Sequence, residues 1–107
     1  MAKYMMIAFN GPTTGEGNAE ALEHWYQNEH LPGIHADDEV RTARRYKVVD
    51  GNLPGMEAWP YVAVYEIETD NMDALNRRMS ERLGPVHGSM DRARSATLLA
   101  IKVSGEN

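Results

Sequence analysis

Four residues in the run HWYQNEHLPGI are the strongest candidates for chemistry: Trp25, Tyr26, Glu29 and His30. Read as a helix, Leu22, Tyr26 and His30 follow four apart on one row, and Trp25 and Glu29 share the adjacent row. His30 and Glu29 therefore close an apolar stripe on its buried side. A carboxylate and an imidazole in that position must pair, take hydrogen bonds or face a pocket, because burying them alone is costly. In a pocket they make an acid/base pair, with His30 moving the proton and Glu29 or Tyr26 orienting it. A plainer reading needs no pocket: His30 at the last helical turn meets the helix dipole and the free carbonyls, and Glu29 reaches solvent. The residues alone leave both open.

The other polar candidates are more scattered. His24 falls on the opposite helix face and is expected in solvent. His35, in IHADDE, could join His30 as a metal ligand with Asp37 or Asp38, but no recognised ligand spacing is present and no metal is expected. His87 lies in a Gly/Pro-rich stretch, where it either lines the same cavity or sits in an exposed loop. Along residues 39–49 a strict alternation groups Val40, Thr42, Arg44, Tyr46 and Val48 on one face, and Arg41, Ala43, Arg45, Lys47 and Val49 on the other. If the first set faces inward, Arg44 and Tyr46 project into a largely apolar space and suit an oxyanion, carboxylate or phenolate. Otherwise Arg44 pairs with Glu66 or another strand carboxylate and needs no ligand. No GxSxG, P-loop, dinucleotide fingerprint, HExxH or EF-hand pattern occurs, so hydrolase triads, nucleotide folds and the common metal sites have no support.

The elements that position these groups read as βαββαβ. Residues 3–9 form an apolar strand closed by Asn10-Gly11-Pro12. Asn18 is the expected N-cap of a helix over 19–30, stopped by Pro32-Gly33. Residues 39–49 and 61–68 make an antiparallel pair across a long Pro/Gly-rich connection. Asp70 is the expected N-cap of a second helix whose apolar face is Met72, Leu75, Met79 and Leu83, ended by Gly84-Pro85. Residues 95–103 supply the last strand. The α+β plan that follows is ferredoxin-like: a four-stranded antiparallel sheet with two helices on one face. The strands are apolar at both parities, Met5, Ile7 and Phe9 against Tyr4, Met6 and Ala8, and Leu98 and Ala100 against Leu99 and Ile101. Two helices cover one face; a second copy of the chain is expected to cover the other, closing a dimeric barrel.

Composition sets the outer limits. A length of 107 residues suits one core and hence one domain. The net charge of -5 argues against a phosphate-backbone partner, so no nucleic acid is expected. The local cluster Arg41, Arg44, Arg45 and Lys47 is either a solvated strand face or an anion site. With no cysteine there is no disulfide framework and no thiolate nucleophile. Residues 1–9 lack the pattern of an export signal and no apolar run reaches bilayer length, so a cytoplasmic protein with no membrane partner is expected.

Three segments, HWYQNEHLPGI (24–34), VRTARRYKVVDG (40–51) and PYVAVYEIE (60–68), resemble small bacterial proteins of the dimeric α+β barrel superfamily, closest to the EthD-like group. The matching parts are Trp25-Tyr26, Glu29-His30-Leu31-Pro32, and Ala43-Arg44-Arg45-Tyr46 followed by Asp50-Gly51. Residues 52–59 and the histidine-containing stretch after the second helix are less typical. The resemblance implies a homodimer with a pocket between sheet and helices. The superfamily includes cofactor-free monooxygenases, lactone isomerases, polyketide cyclases and haem enzymes, and fold alone does not choose among them. The leading expectation is a cofactor-independent isomerase, cyclase or lyase acting on an aromatic or lactone-like metabolite. In it His30, Glu29 and Tyr26 are catalytic, and Trp25, Arg44, Tyr46, His35 and His87 contact the substrate. Its rivals are a monooxygenase, cofactor-free or haem-dependent, using Trp25, Tyr26 and Tyr46, and a non-catalytic ligand-binding module.

Overall fold

The computed structural model describes residues 1–106 and resolves the chain into β1 (Ala2–Asn10), α1 (Asn18–Trp25), α2 (Leu31–His35), β2 (Val40–Lys47), β3 (Tyr61–Thr69), α3 (Met72–Arg82) and β4 (Ala96–Ile101). The strands form one antiparallel sheet in the order β2-β3-β1-β4. Ile7 sits opposite Val64 on one side and Leu98 on the other, which sets the register of the three adjoining strands. This is the ferredoxin-like βαββαβ architecture expected from the sequence.

Period-2 alternation assigns the faces. Tyr4, Met6 and Ala8 of β1 turn toward the helices, as do Ala63, Tyr65 and Ile67 of β3, and they meet Leu22, Trp25, Tyr26, Ile34, Leu75 and Met79. Leu22 and Leu75 are 0% exposed, one from each helical stretch, so both stretches are anchored at the centre of the core. α3 starts where Asn71, in extended conformation, accepts the Ala74 N–H at 3.0 Å; the cap is Asn71 and not Asp70, one residue earlier.

Two further expectations need correction. Asn18 does not cap α1: Gly17 holds the turn in the left-handed region at φ 83°, and the Asn18 amide folds back onto Thr13 Oγ1 at 2.8 Å. Pro32-Gly33 does not stop the first helix either. Residues Tyr26–His30 form a π-turn, and the helix runs on through α2 to His35. Pro32, which has no N–H to give, falls directly after the π-turn, where the hydrogen-bond ladder changes register. Gly33 lets Leu83 pack close against the helix, since a Cβ would stand 2.8 Å from Leu83 Cδ2 and that side chain would have to shift.

Candidate active site

The π-turn builds the site. The Leu31 N–H reaches back to the Tyr26 carbonyl, inserting one extra residue into the turn that carries His30. Residues five apart then share a face, and the His30 ring stacks on Trp25 at 4.3 Å between centroids with an interplanar angle of 20°. Tyr26 meets the same imidazole edge-on at 5.2 Å, and Trp25 meets Tyr26 edge-on at 5.0 Å. The Tyr26 hydroxyl accepts a hydrogen bond from Asn10 Nδ2 at 2.6 Å, tying the helix to the end of β1.

His30 is half-buried, and its ring makes no hydrogen bond or ion pair among the described residues. Burial alone therefore acts on it and pushes its pKa below the ordinary 6.5, so the imidazole is neutral at pH 7. It borders a cleft of about 520 Å³ between sheet and helices, whose apolar walls include Met6, Ala8, Ile34, Met79 and Leu83. Thr97, Ser80 and Asn76 add neutral hydrogen-bonding groups, and Arg92 lies along the same cleft. His30 also borders a second hollow of about 480 Å³ with Trp25, Glu29 and His87, and residues 83–86 line both.

Tyr65 lines the main cleft as well, and its hydroxyl is buried without a partner. Burial pushes its phenol up, with the nearby Tyr26 adding to the shift. Tyr26 is raised for the same reason, partly offset by Asn10 and Arg45.

The structure thus brings Trp25, Tyr26, Glu29, His30 and His87 together and leaves three candidates elsewhere. Glu29 is exposed and does not hydrogen-bond His30, because the π-turn rotates it out of the row expected from regular helical spacing. His87 lies 6.1 Å from Trp25 and bonds Ser89 Oγ at 2.7 Å. His35 is exposed and bonds the Arg41 carbonyl at 3.1 Å, while Asp37 is held by Arg78 and Arg82.

Arg44 and Tyr46 are on the opposite face of the sheet from His30, contrary to the inward placement considered from alternation. A β-bulge between Val40 and Thr42 is the reason: Val40 faces the helices opposite Ile67, but after the extra residue it is Ala43 and Arg45 that do so. Arg44 pairs with Glu66 at 3.7 Å, the strand ion pair weighed from the sequence. Arg45 is the buried arginine, stacked over Tyr61 at 4.1 Å and Tyr26 at 4.7 Å and paired with Glu23. Tyr65 and Arg92 escaped the sequence reading, and Arg45 was noticed only as part of a basic cluster. An alternation broken by a bulge conceals Arg45, and Arg92 lies in a stretch with no periodicity at all.

No protein-family model matches the chain, and no curated protein matches it significantly. Solved structures do. A dimeric ferredoxin-like protein of unknown function from Jannaschia sp. CCS1 superposes with a TM-score of 0.55 at 10% identity, covering 91% of this chain and 96% of that one. Another, from Thermobifida fusca YX, gives 0.50 at 12% identity over 92% and 89%. An ethyl tert-butyl ether D (EthD) family protein from Bacillus halodurans C-125 gives 0.52 at 13% identity over 96% and 100%. At these identities the likeness is one of fold: the chain has the ferredoxin-like fold of proteins that include an EthD family member.

Proposed function

We propose that this chain is a cofactor-independent proton-transfer enzyme, an isomerase, cyclase or lyase acting on an aromatic or lactone-like small molecule, and that it works as a homodimer. The observation that carries the reading is His30: a neutral imidazole without a polar partner, wedged between Trp25 and Tyr26 and bordering an apolar cleft. A base of this kind takes a proton from an acidic C–H of a bound substrate and returns it at a neighbouring atom. The cleft falls within the size range of small-molecule sites, about 300–1,000 Å³. Trp25 and Tyr26 hold the ring by packing, a role that replaces the hydrogen bond from Glu29 considered from the sequence.

The dimer rests on the sheet's far face. Ile7, Phe9, Val62, Val64 and Leu98 share it, and among the described residues no helix covers it. Two of the structural neighbours are described as dimeric. An apolar face of this kind suits a second copy related by two-fold symmetry.

Turnover of a panel of butenolides and aromatic β-keto acids by the wild type and His30→Gln tests the catalytic role. The expected loss is about 100-fold or more, the usual worth of a positioned general base. Full retention of turnover by His30→Gln overturns it.

A further inference from the structure

We propose that the His30 cleft selects anionic substrates, an aromatic or otherwise flat carboxylate or phenolate, and that Arg92 is the group that recognises the charge. The inference rests on the reading of this cleft as the substrate site and adds to it the class of molecule the cleft takes.

Arg92 is the only formally charged residue among the described residues lining the cleft; no aspartate or glutamate borders it. In a chain of net charge -5 that is an unusual local sign. Of the eight arginines, Arg41, Arg44, Arg45, Arg78, Arg82 and Arg94 pair with a carboxylate; Arg77 and Arg92 have no ion pair among the described residues, and of these two only Arg92 borders the cleft. Arg92 has no ion pair and no side-chain hydrogen bond among the described residues, and the adjacent Asp91 is engaged by Arg94. Arg92 is exposed, so water solvates its guanidinium in the ligand-free protein, and beside an apolar cleft it presents a planar fork of donors that fits a carboxylate in bidentate fashion.

One feature opposes an anion. The C-terminal turn of α3 borders the cleft through Met79 and Ser80, and its carbonyl end carries partial negative charge. That charge amounts to about half an elementary unit and fades within one turn, so the full charge of Arg92 prevails.

The anionic end at Arg92 leaves the ring system against Met6, Ile34 and Met79 and its acidic C–H toward His30. Charge recognition and proton transfer thus reside on different residues, and the two claims separate experimentally. The test is calorimetric titration of 2-naphthoate and its neutral isostere 2-naphthamide into the wild-type protein, Arg92→Gln and His30→Gln at pH 8. Amide NMR shifts locate the site. The expected result is that 2-naphthoate binds the wild type at least tenfold more tightly than the amide and shifts resonances of His30, Met79 and Thr97. Arg92→Gln should bring the two ligands within twofold of each other, while His30→Gln keeps the preference. Equal affinities in the wild type, a preference that survives in Arg92→Gln, or shifts confined to Phe9 and Val64 on the far face would each overturn the proposal. A preference that disappears with Arg92 while His30→Gln retains full turnover would leave anion recognition standing and remove the acid/base role.

Discussion

An imidazole stacked on Trp25 and touched edge-on by Tyr26 exchanges hydration for ring contacts, and no carboxylate among the described residues pairs with it to return the lost stabilisation of its charged form. The unfolded chain binds a proton at His30 near pH 6.5, whereas the folded chain resists it to lower pH. The unfolded state therefore holds more protons in that window, and stability falls as pH drops below 6.5. Urea unfolding from pH 7.5 to 5 should show this slope and a shallower one in His30→Phe; equal slopes would show that the ring is solvated. The two buried tyrosines make a sharper comparison, because one truncation should act in opposite directions. Tyr26→Phe removes the partner of Asn10 and should cost about 1–3 kcal/mol. Tyr65→Phe removes a buried hydroxyl that has no partner and should stabilise the ligand-free protein by about 1 kcal/mol. Denaturant midpoints decide both signs. Residue spacing already puts Tyr26 and His30 on one row, four apart, but it leaves Trp25 on the adjacent row, and only the π-turn brings Trp25 onto the His30 ring. It does not reveal Tyr65, whose unpaired hydroxyl is a property of three packed elements.

The devices that shape the site at the level of elements are both insertions of a single residue. The π-turn in the first helix aligns His30 with Trp25 and turns Glu29 outward. The bulge in β2 exchanges Arg44 for Arg45 on the helix side. Each breaks the period from which a face is assigned, and neither leaves a mark in composition, which is why strand and helix identities were legible while the polar side chains of β2 were misplaced. Helix ends were obscured in a related way: Asn18 and Asp70 are good cap residues, but Gly17 and Asn71 occupy the capping positions. The end of α2 is tied to α3 by Asp37, which accepts from Arg78 Nε at 2.9 Å and Nη2 at 3.2 Å. These bonds are the main cause that holds the Asp37 carboxyl below its ordinary 3.8. The stability they supply is present above that value and is lost as pH falls through the depressed one. Asp37→Asn should cost about 1–2 kcal/mol at pH 7, allowing for the half-exposed guanidinium, and flatten the acid limb of the stability curve. An unchanged urea midpoint would show that the pair does not fasten α2 to α3.

For the whole molecule the decisive dimension is its thickness. Extents of 43 × 33 × 20 Å correspond to one sheet and one helical layer, so among the described residues no helical layer covers the sheet's far side, where Trp59 packs on Phe9. That side was legible from apolar residues at both parities, and Met5 and Leu98 stand there 42% and 43% exposed. If a second copy covers it, thermal stability should rise with protein concentration, and Leu98→Glu should give a monomer in sedimentation at micromolar concentration. A wild-type chain that sediments as a 12.0 kDa monomer would contradict the dimer. The cleft lies on the other side of the sheet, so its chemistry can be followed separately. The most direct test is the pH profile of kcat/KM for solvent-deuterium exchange into a turned-over substrate, set beside the NMR titration of the His30 ring. The predicted result is a single rising ionisation below 6.5 that coincides with the His30 titration and disappears in His30→Gln. An ionisation that persists unchanged in His30→Gln would contradict the assignment of His30 as the proton-transfer group.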